Sequence, residues 1–416
     1  SYANCTMQIP TNLDFKSLNL SHSVIIVAQV VSSLIRLKKS KYSKSKKIIS
    51  ASKKDIQLMA NLCIKHLNDR NFFKPPEKKY LKIPPILTKL LLVHLLVLSA
   101  CNYRQYTEIT GETMGTTFSR KIVEHHSKII DSHGLQKEVD SLLFQINIQL
   151  STYIDSSVIS EFNRNYSLEP IAVSSEFYEV AEKAINMYQL SEGSFDATVQ
   201  PLVDLWGFGP QFKTLQIPDS SKIIETKLKV GSEKLIVKNG NLQKTNRQLQ
   251  IDLSAIAKGW GVDKLAEYLL QKGFNNFMVE IGGEIVVSGL NKDNQSWKIG
   301  ILHPDGLHSE LYSKIEVSNK AVATSGIYQN YFTWEGNVYS HLINPITGYP
   351  IQHDLVSATI VAQDCATADA IATAVMVKGF DEGLRWINNL PNVECLLVKK
   401  SDTGEYFTGK SSGFNY

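Results

Sequence analysis

Two glycines at positions 282 and 283 give the clearest local constraint on how this 416-residue chain can fold. The run Phe277-Met-Val-Glu-Ile precedes them and the run Glu284-Ile-Val-Val-Ser follows them, and both runs are rich in residues that favour strands. Glycine readily takes the positive φ that a tight turn between antiparallel strands requires. The segment therefore predicts a β-hairpin.

The rest of the globular part alternates helix-like and strand-like segments without internal repeats. Residues 138–150 and 176–190 have apolar side chains at helical spacing. Strands are predicted at residues 297–302, 320–324 and 356–362. Asp364 is a suitable N-cap for the Ala-rich helix that follows the last of these strands. Because strands cluster in the second half and helices lie before it, the predicted fold class is α+β.

A short apolar stretch, residues 90–100, separates a basic leader from the rest of the chain. About eleven residues are too few to cross a bilayer, which needs about 20 in a helix, but they suit the apolar part of a signal peptide. The stretch ends at Leu98-Ser-Ala-Cys101, a pattern typical of a bacterial lipoprotein signal. We therefore expect Cys101 to become the lipidated (palmitate-bearing) first residue of the mature protein. The expected location is the periplasmic, extracytoplasmic side of the inner membrane.

These patterns predict three regions along the chain. Residues 1–100 are interpreted as a leader, made of an upstream extension outside the native product and the signal peptide, with Met59 as a plausible start. Residues 101–108 are a lipidated tether and residues 109–416 the folded domain. Lys and Arg outnumber Asp and Glu by 17 to 4 in the leader, whereas Asp and Glu outnumber Lys and Arg by 36 to 27 in the remainder. The folded part is acidic, so no nucleic-acid partner is expected.

Cysteine usage excludes two kinds of small stabilised domain. Beyond Cys101 the chain contains only Cys365 and Cys395. Two thiols form neither a disulfide framework nor a four-ligand zinc site, and the sequence leaves open whether they pair.

Asp369 and Thr373 lie four residues apart in the Ala-rich run that should be helical. That spacing places both side chains on one face of a helix. A carboxylate and a hydroxyl near backbone carbonyls and a phosphate are the hard oxygen ligands that Mg²⁺ prefers. The alternative is a buried helix whose Asp and Thr bond nearby backbone.

Asp252 and Lys258 mark a second polar segment. Asp252 stands at the end of a predicted short apolar strand, residues 249–253, and the loop Ser254-Ala-Ile-Ala leads to a helix predicted to begin near Lys258. A helix N-terminus offers unpaired amides to a phosphate, and Lys258 adds a positive charge for the same anion. The alternative is an ion pair between Asp252 and Lys258 at the edge of a loop.

Seven short segments occur in order between about Thr113 and Lys378. They are Glu112-Thr-Met114-Gly-Thr; Leu150-Ser-Thr-Tyr153 with Ser160-Glu-Phe-Asn; Gly193-Ser-Phe-Asp196 with Pro201-Leu-Val-Asp-Leu-Trp-Gly; Asp252-Leu-Ser-Ala-Ile-Ala-Lys258-Gly; Glu280-Ile-Gly-Gly-Glu284; His341-Leu-Ile-Asn-Pro345; and Ala366-Thr-Ala-Asp369-Ala-Ile-Ala-Thr373. In this order they resemble the FAD:protein FMN transferase family, also called the ApbE family. The resemblance implies a two-lobed ApbE-like (T-fold-like) domain with mixed, largely antiparallel sheets and flanking helices.

The resemblance also implies an activity and a set of site residues. The protein would bind FAD and Mg²⁺ and transfer FMN to a Ser or Thr hydroxyl of an exported acceptor protein, releasing AMP; candidate acceptors include subunits of membrane redox complexes. The matching positions assign FAD contacts to Met114, Tyr153, Ser194, Phe195, Asp196, Asp252, Lys258 and Ile343. They assign Mg²⁺ to Asp369, Thr373 and the backbone carbonyl of Ala255. His341 is the candidate base, since a histidine titrating near neutral pH suits deprotonation of a hydroxyl.

Alternatives remain open for the site and for the activity. His341 could instead bond its local turn. The protein could hydrolyse FAD to FMN and AMP in a Mg²⁺-dependent reaction with water as acceptor, or it could be a flavin-binding lipoprotein without turnover. The presence of His341, Asp369 and Thr373 together favours chemistry over storage.

Overall fold

The computed structural model describes residues 105–123, 131–210, 217–305, 310–327 and 330–416. The chain divides into two compact units, Ser1–Cys101 and Asn102–Tyr416, and the described residues all belong to the second. The predicted leader and lipidation site therefore lie outside the described residues. The first strand, β1 (Tyr106–Thr113), begins within the predicted tether. Within the described ranges, no helix has both the length and the apolar character needed to cross a membrane.

In the described part of the domain, eight strands form the central sheet, and every neighbouring pair of them is antiparallel. In spatial order they are β1, β2 (Thr116–Val123), β6 (Phe277–Ile281), β7 (Glu284–Ser288), β10 (Lys320–Gly326), β13 (Leu355–Ala362), β14 (Glu394–Lys400) and β15 (Tyr406–Lys410). The predicted hairpin is β6–β7, and its turn glycines Gly282 and Gly283 have φ of 61° and 104°. The predictions of a hairpin and of largely antiparallel sheets are confirmed.

Three smaller antiparallel sheets and eight α-helices complete the described part of the domain. The sheets consist of β3 (Ile171–Ala172), β5 (Asn241–Lys244) and β4 (Leu235–Lys238); of β8 (Trp297–Leu302) and β9 (Leu311–Val317); and of β11 (Tyr331–Trp334) and β12 (Asn337–Ser340). The helices are α1 (Ser132–Leu150), α2 (Val158–Arg164), α3 (Ser175–Leu190), α4 (Gln200–Leu205), α5 (Ser220–Lys227), α6 (Ser254–Gln271), α7 (Cys365–Lys378) and α8 (Phe380–Asn388). The α+β class is confirmed.

Local sequence signals located several of these elements correctly. The helices predicted from periodicity lie within α1 and α3, and the three predicted strands are β8, β10 and β13. Asp364 caps α7 as predicted, because its side chain accepts a hydrogen bond from the Thr367 amide. Cys365 and Cys395 are both buried and free.

The central sheet is covered on both faces. Helices α1, α6 and α7 pack on one face around the largest apolar core, and the β8–β9 hairpin packs on the other face around a second core. All eight residues of β13 are buried, which explains why six of them are apolar and none is charged. Helix α7 is buried on nearly every side, and its one acidic residue, Asp369, is buried with it.

The strand predicted at residues 249–253 is wrong. Asn163 of α2 accepts a hydrogen bond from the Ile251 amide and donates one to the Ile251 carbonyl, each at 2.8 Å. The Asp252 amide donates to the Ala197 carbonyl at 2.7 Å. Because a side chain and a loop satisfy this backbone, it needs no partner strand. Helix α6 begins at Ser254, so the predicted loop before Lys258 is its first turn.

Candidate functional site

One cavity of about 980 Å³ collects the predicted site residues of the domain. All twelve that were predicted in the domain line it: Met114, Tyr153, Ser194, Phe195, Asp196, Asp252, Ala255, Lys258, His341, Ile343, Asp369 and Thr373. They come from β1–β2, α6, α7 and four connecting segments that are far apart in sequence. A cavity of this size is large enough for a ligand of nucleotide or dinucleotide size.

Lys258, one of the residues that line the cavity, lies between two buried carboxylates. Its Nζ is 3.7 Å from Asp369 Oδ1 and 3.2 Å from Glu284 Oε1. The two carboxylate side chains are each 3% exposed, whereas that of Lys258 is 30% exposed. Among the described residues Lys258 pairs with these two acids and not with Asp252, so the ion pair considered from the sequence is wrong.

The charges of this trio shift the pKa values of its members. Burial by itself lowers the pKa of Lys258, but the negative charges of Asp369 and Glu284 outweigh burial and raise that pKa above its usual range. Lys258 is therefore protonated at neutral pH. Burial raises the pKa of Glu284, and Asp369 acts in the same direction, although Lys258 opposes them. Burial thus favours the neutral form of Glu284, whereas the Lys258 ammonium favours its ionised form.

Gly259 brings α6 and α7 into close contact beside Asp369. A Cβ atom at Gly259 would lie 2.3 Å from the carbonyl oxygen of Cys365 and 2.6 Å from its carbonyl carbon. The Gly259 amide donates a hydrogen bond to Asp369 Oδ2 at 3.0 Å. The absence of a side chain at this position therefore lets α7 present Asp369 to the first turns of α6.

Gly259→Ala is expected to push α6 and α7 apart and to lower the free energy of unfolding by about 1–3 kcal/mol, the usual cost of overpacking a core. Gly261→Ala is the matched control, because its new methyl group would meet mainly the flexible end of Met114, with Cε at 2.9 Å. Both changes gain the same helix propensity. Denaturant unfolding measures the difference, and equal stability of the two variants would contradict this role of Gly259.

The carboxylates of Asp252 and Asp196 accept hydrogen bonds from nearby groups of the protein. Asp252 Oδ1 accepts hydrogen bonds from the amide and the hydroxyl of Ser254. Asp196 accepts from the amide and hydroxyl of Thr198 and from those of Ser232. Burial raises the pKa of both acids, although these hydrogen bonds oppose it. Both residues therefore hold the wall of the cavity in shape, in addition to the FAD contact that the resemblance implies.

The apolar residues of the set differ in exposure. Tyr153 is 71% exposed, whereas Phe195 and Ile343 are 2% and 6% exposed. Met114 occupies the β1–β2 turn with φ of 51°, a left-handed conformation that is unfavourable for a residue with a side chain. Tyr153 is thus available to cover a flat ring, while Phe195 belongs mainly to the core.

The ring of His341 is oriented by a backbone carbonyl. Its Nδ1 lies 3.0 Å from the carbonyl oxygen of Asn330, which also accepts the His341 amide at 3.0 Å. A carbonyl only accepts, so Nδ1 carries the proton and Nε2 presents a lone pair. Burial lowers the pKa of His341, and Lys258 acts in the same direction against the Asn330 bond. The local bond considered as an alternative therefore exists and leaves a neutral ring able to accept a proton.

Sequence reasoning missed several residues of this region. Phe144 lines the cavity and is 59% exposed, but nothing in the local pattern of α1 distinguishes it from a surface residue. Asn330 and Asn163 act through contacts with residues 11 and 88 positions away. Glu284 had a usable signal, since it is an acidic residue directly before three apolar residues of a strand.

Asp369, Thr373 and the Ala255 carbonyl are compatible with a hard cation that takes few protein ligands. Across the described ranges, no group of three or more His, Cys, Asp or Glu side chains is arranged to hold a metal ion. Asp369 is buried, carries a negative charge and shares its cavity with the other two residues. A Mg²⁺ ion here would complete its octahedral shell with phosphate oxygens and water.

Comparison with known proteins gives a consistent family assignment. A sequence profile of the ApbE family matches residues 114–397. The FAD:protein FMN transferase of Vibrio cholerae is 42% identical over 314 residues, covering 75% of this chain and 93% of the relative. The FAD:protein FMN transferase of Haemophilus influenzae is 37% identical over 326 residues, covering 77% and 94%.

Solved structures agree with the sequence relatives. The flavin transferase ApbE from Vibrio cholerae matches with a TM-score of 0.69 and 41% identity, covering 75% of this chain and 98% of that one. The apo flavinyl transferase ApbE from Pseudomonas stutzeri matches with a TM-score of 0.69 and 31% identity, covering 75% and 96%. The family profile spans more than half of the chain, and these relatives match nearly their whole length; the chain belongs to the ApbE family.

Proposed function

We propose that this protein is an enzyme that transfers FMN from FAD to a Ser or Thr hydroxyl of an acceptor protein through a phosphoester bond, releasing AMP. The observation that carries the proposal is that one cavity joins a neutral histidine, with a lone pair on Nε2, to the Lys258–Asp369 charge pair. The curated relatives named FAD:protein FMN transferase support the same activity.

In this reaction His341 acts as general base. Its Nε2 accepts the proton of the acceptor hydroxyl, and the hydroxyl oxygen forms a bond to the phosphorus of the FMN half of FAD. The bond between that phosphorus and the bridging oxygen breaks, and its electron pair leaves with AMP. The Asn330 carbonyl holds the ring in the tautomer that this step needs.

Lys258 provides the permanent positive charge of the site. A protonated lysine beside a pyrophosphate offsets the negative charge that grows on the leaving group, which is the main requirement of phosphoryl transfer. Asp369, Thr373 and the Ala255 carbonyl are the residues proposed to hold Mg²⁺, which would supply further charge neutralisation on the same phosphates.

The proposed activity is tested by incubating the protein with FAD, Mg²⁺ and a candidate acceptor. Covalent flavin fluorescence on the acceptor in a denaturing gel, together with release of AMP, is the expected result. Release of FMN and AMP without labelled acceptor would assign FAD hydrolysis instead. Bound FAD without AMP would indicate a flavin-binding protein without turnover. Candidate acceptors are exported subunits of membrane redox complexes.

We also propose that the protein is anchored to the membrane through lipid on Cys101, on the extracytoplasmic side of a bacterial inner membrane. Expressed in a bacterial host, the protein should be cut before Cys101, acylated and recovered in the detergent phase. Cys101→Ser should remain unprocessed, because the change removes the thiol sulfur that receives the lipid. A mature N-terminus found elsewhere by mass spectrometry would rule this out.

A further inference from the structure

Among the described residues, Glu284 meets the site through its ion pair with Lys258. It begins β7 directly after the Gly282-Gly283 turn and does not line the cavity. Its Oε1 is 3.2 Å from Lys258 Nζ, and its buried Oε2 has no hydrogen-bond partner among the described residues. Lys258 is thus the cation that Glu284 faces in the described part of the chain.

The Asp369 carboxylate has two competing partners, the Lys258 ammonium and the proposed Mg²⁺ ion. Its Oδ1 is 3.7 Å from Lys258 Nζ, and the same carboxylate is the one proposed to bind Mg²⁺. A divalent cation on Asp369 would stand within a few ångströms of the Lys258 ammonium and repel it. Without another carboxylate, Lys258 would either move away or keep the metal off Asp369.

The hairpin turn also guides the lysine side chain. A Cβ atom at Gly282 would lie 3.4 Å from Lys258 Cδ and 2.8 Å from Thr116 Cγ2. The turn backbone therefore packs along the aliphatic stem of Lys258 and directs its ammonium group towards Glu284.

We propose that Glu284 is a positioning residue that holds Lys258 beside the pyrophosphate site and prevents it from competing with Mg²⁺ for Asp369. This inference rests on the proposed function. Glu284 is the counter-ion that Lys258 keeps throughout, and Asp369 is the one it gives up when the metal binds. The arrangement lets one small site hold two cations against the same pyrophosphate.

The test measures Mg²⁺ binding to FAD-saturated protein by calorimetry, with Mn²⁺ paramagnetic resonance as an independent readout. Glu284→Gln keeps the shape but removes the charge, so Lys258 should turn to Asp369 and weaken Mg²⁺ binding by about 10-fold. FMN transfer should recover when Mg²⁺ is raised in proportion. Glu280→Gln is the matched control, since Glu280 lies in the same hairpin but bonds the Gly283 amide; it should bind Mg²⁺ as the wild type does.

A double variant separates this role from a merely structural one. Glu284→Gln with Lys258→Met removes both charges of the pair and leaves Asp369, which still accepts from the Gly259 amide, as the one carboxylate of the trio. Because Asp369 has then lost its competitor, Mg²⁺ should bind at least as tightly as in the wild type. The inference is overturned if Glu284→Gln binds Mg²⁺ normally, or if the double variant binds it more weakly than the wild type. Failure of the wild type to label any acceptor would instead count against the proposed function.

Discussion

Asp369→Ala is expected to abolish FMN transfer at ordinary Mg²⁺ concentrations while the protein stays folded. The change removes the only carboxylate among the three proposed metal ligands, and with it an ion-pair partner of Lys258 at 3.7 Å. It also removes the acceptor of the Gly259 amide, at 3.0 Å. Because the metal offsets charge on the transferring phosphate, its loss should lower the transfer rate by more than the loss of one hydrogen bond would. Acceptor labelling and AMP release, measured across a Mg²⁺ titration, test this expectation.

Two further variants give this prediction its controls. Thr373→Ala should be milder and partly rescued by excess Mg²⁺, since it removes a neutral ligand and no charge. Asp364→Ala removes the N-cap of the same helix, which costs about 1 kcal/mol of stability, but leaves the cavity intact. It should therefore keep its transfer activity. Equal transfer by the wild type with and without EDTA, or full activity of Asp369→Ala, would show that α7 is not the metal site.

His341→Ala should bind FAD normally but transfer FMN at least ~10²-fold more slowly, the usual scale for loss of a general base. The ring contributes its Nε2 to proton removal, whereas the Nδ1 bond to Asn330 only sets the tautomer. His353→Ala is the control, because His353 is held in a similar way by the Met376 carbonyl at 2.7 Å but lies outside the cavity. Near-normal turnover of His341→Ala would assign proton removal to another group or to solvent.

The pH dependence of transfer follows from the same residue. Burial lowers the pKa of His341 below the value of about 6.5 that an exposed histidine has. The base therefore stays neutral as the pH falls through that value, and the transfer rate should decline only in more acidic solution. The residual rate of His341→Ala should lack this decline. A wild-type rate that falls by half near or above pH 6.5 would argue that His341 is not the titrating base.

Local signals in the sequence determined the elements whose causes are local. Helical periodicity located α1 and α3, the Asp364 cap marked the start of α7, and two glycines with positive φ placed the β6–β7 turn. Each of these depends on residues only a few positions apart, so the chain can specify them before it folds. The order of seven short segments was enough to indicate the family and the residues that line one cavity.

Only the tertiary structure decided how those residues are paired. Residues 249–253 form no strand because Asn163, 88 positions from Ile251, satisfies their backbone. Lys258 pairs with Glu284 and Asp369, which reach it from β7 and α7, and not with Asp252 in its own segment. In a buried site the partner of a charge is the nearest opposite charge in space, since desolvation makes an unpaired ion costly. Sequence spacing carries no information about that distance, whereas the close approach of α6 and α7 at Gly259 determines it.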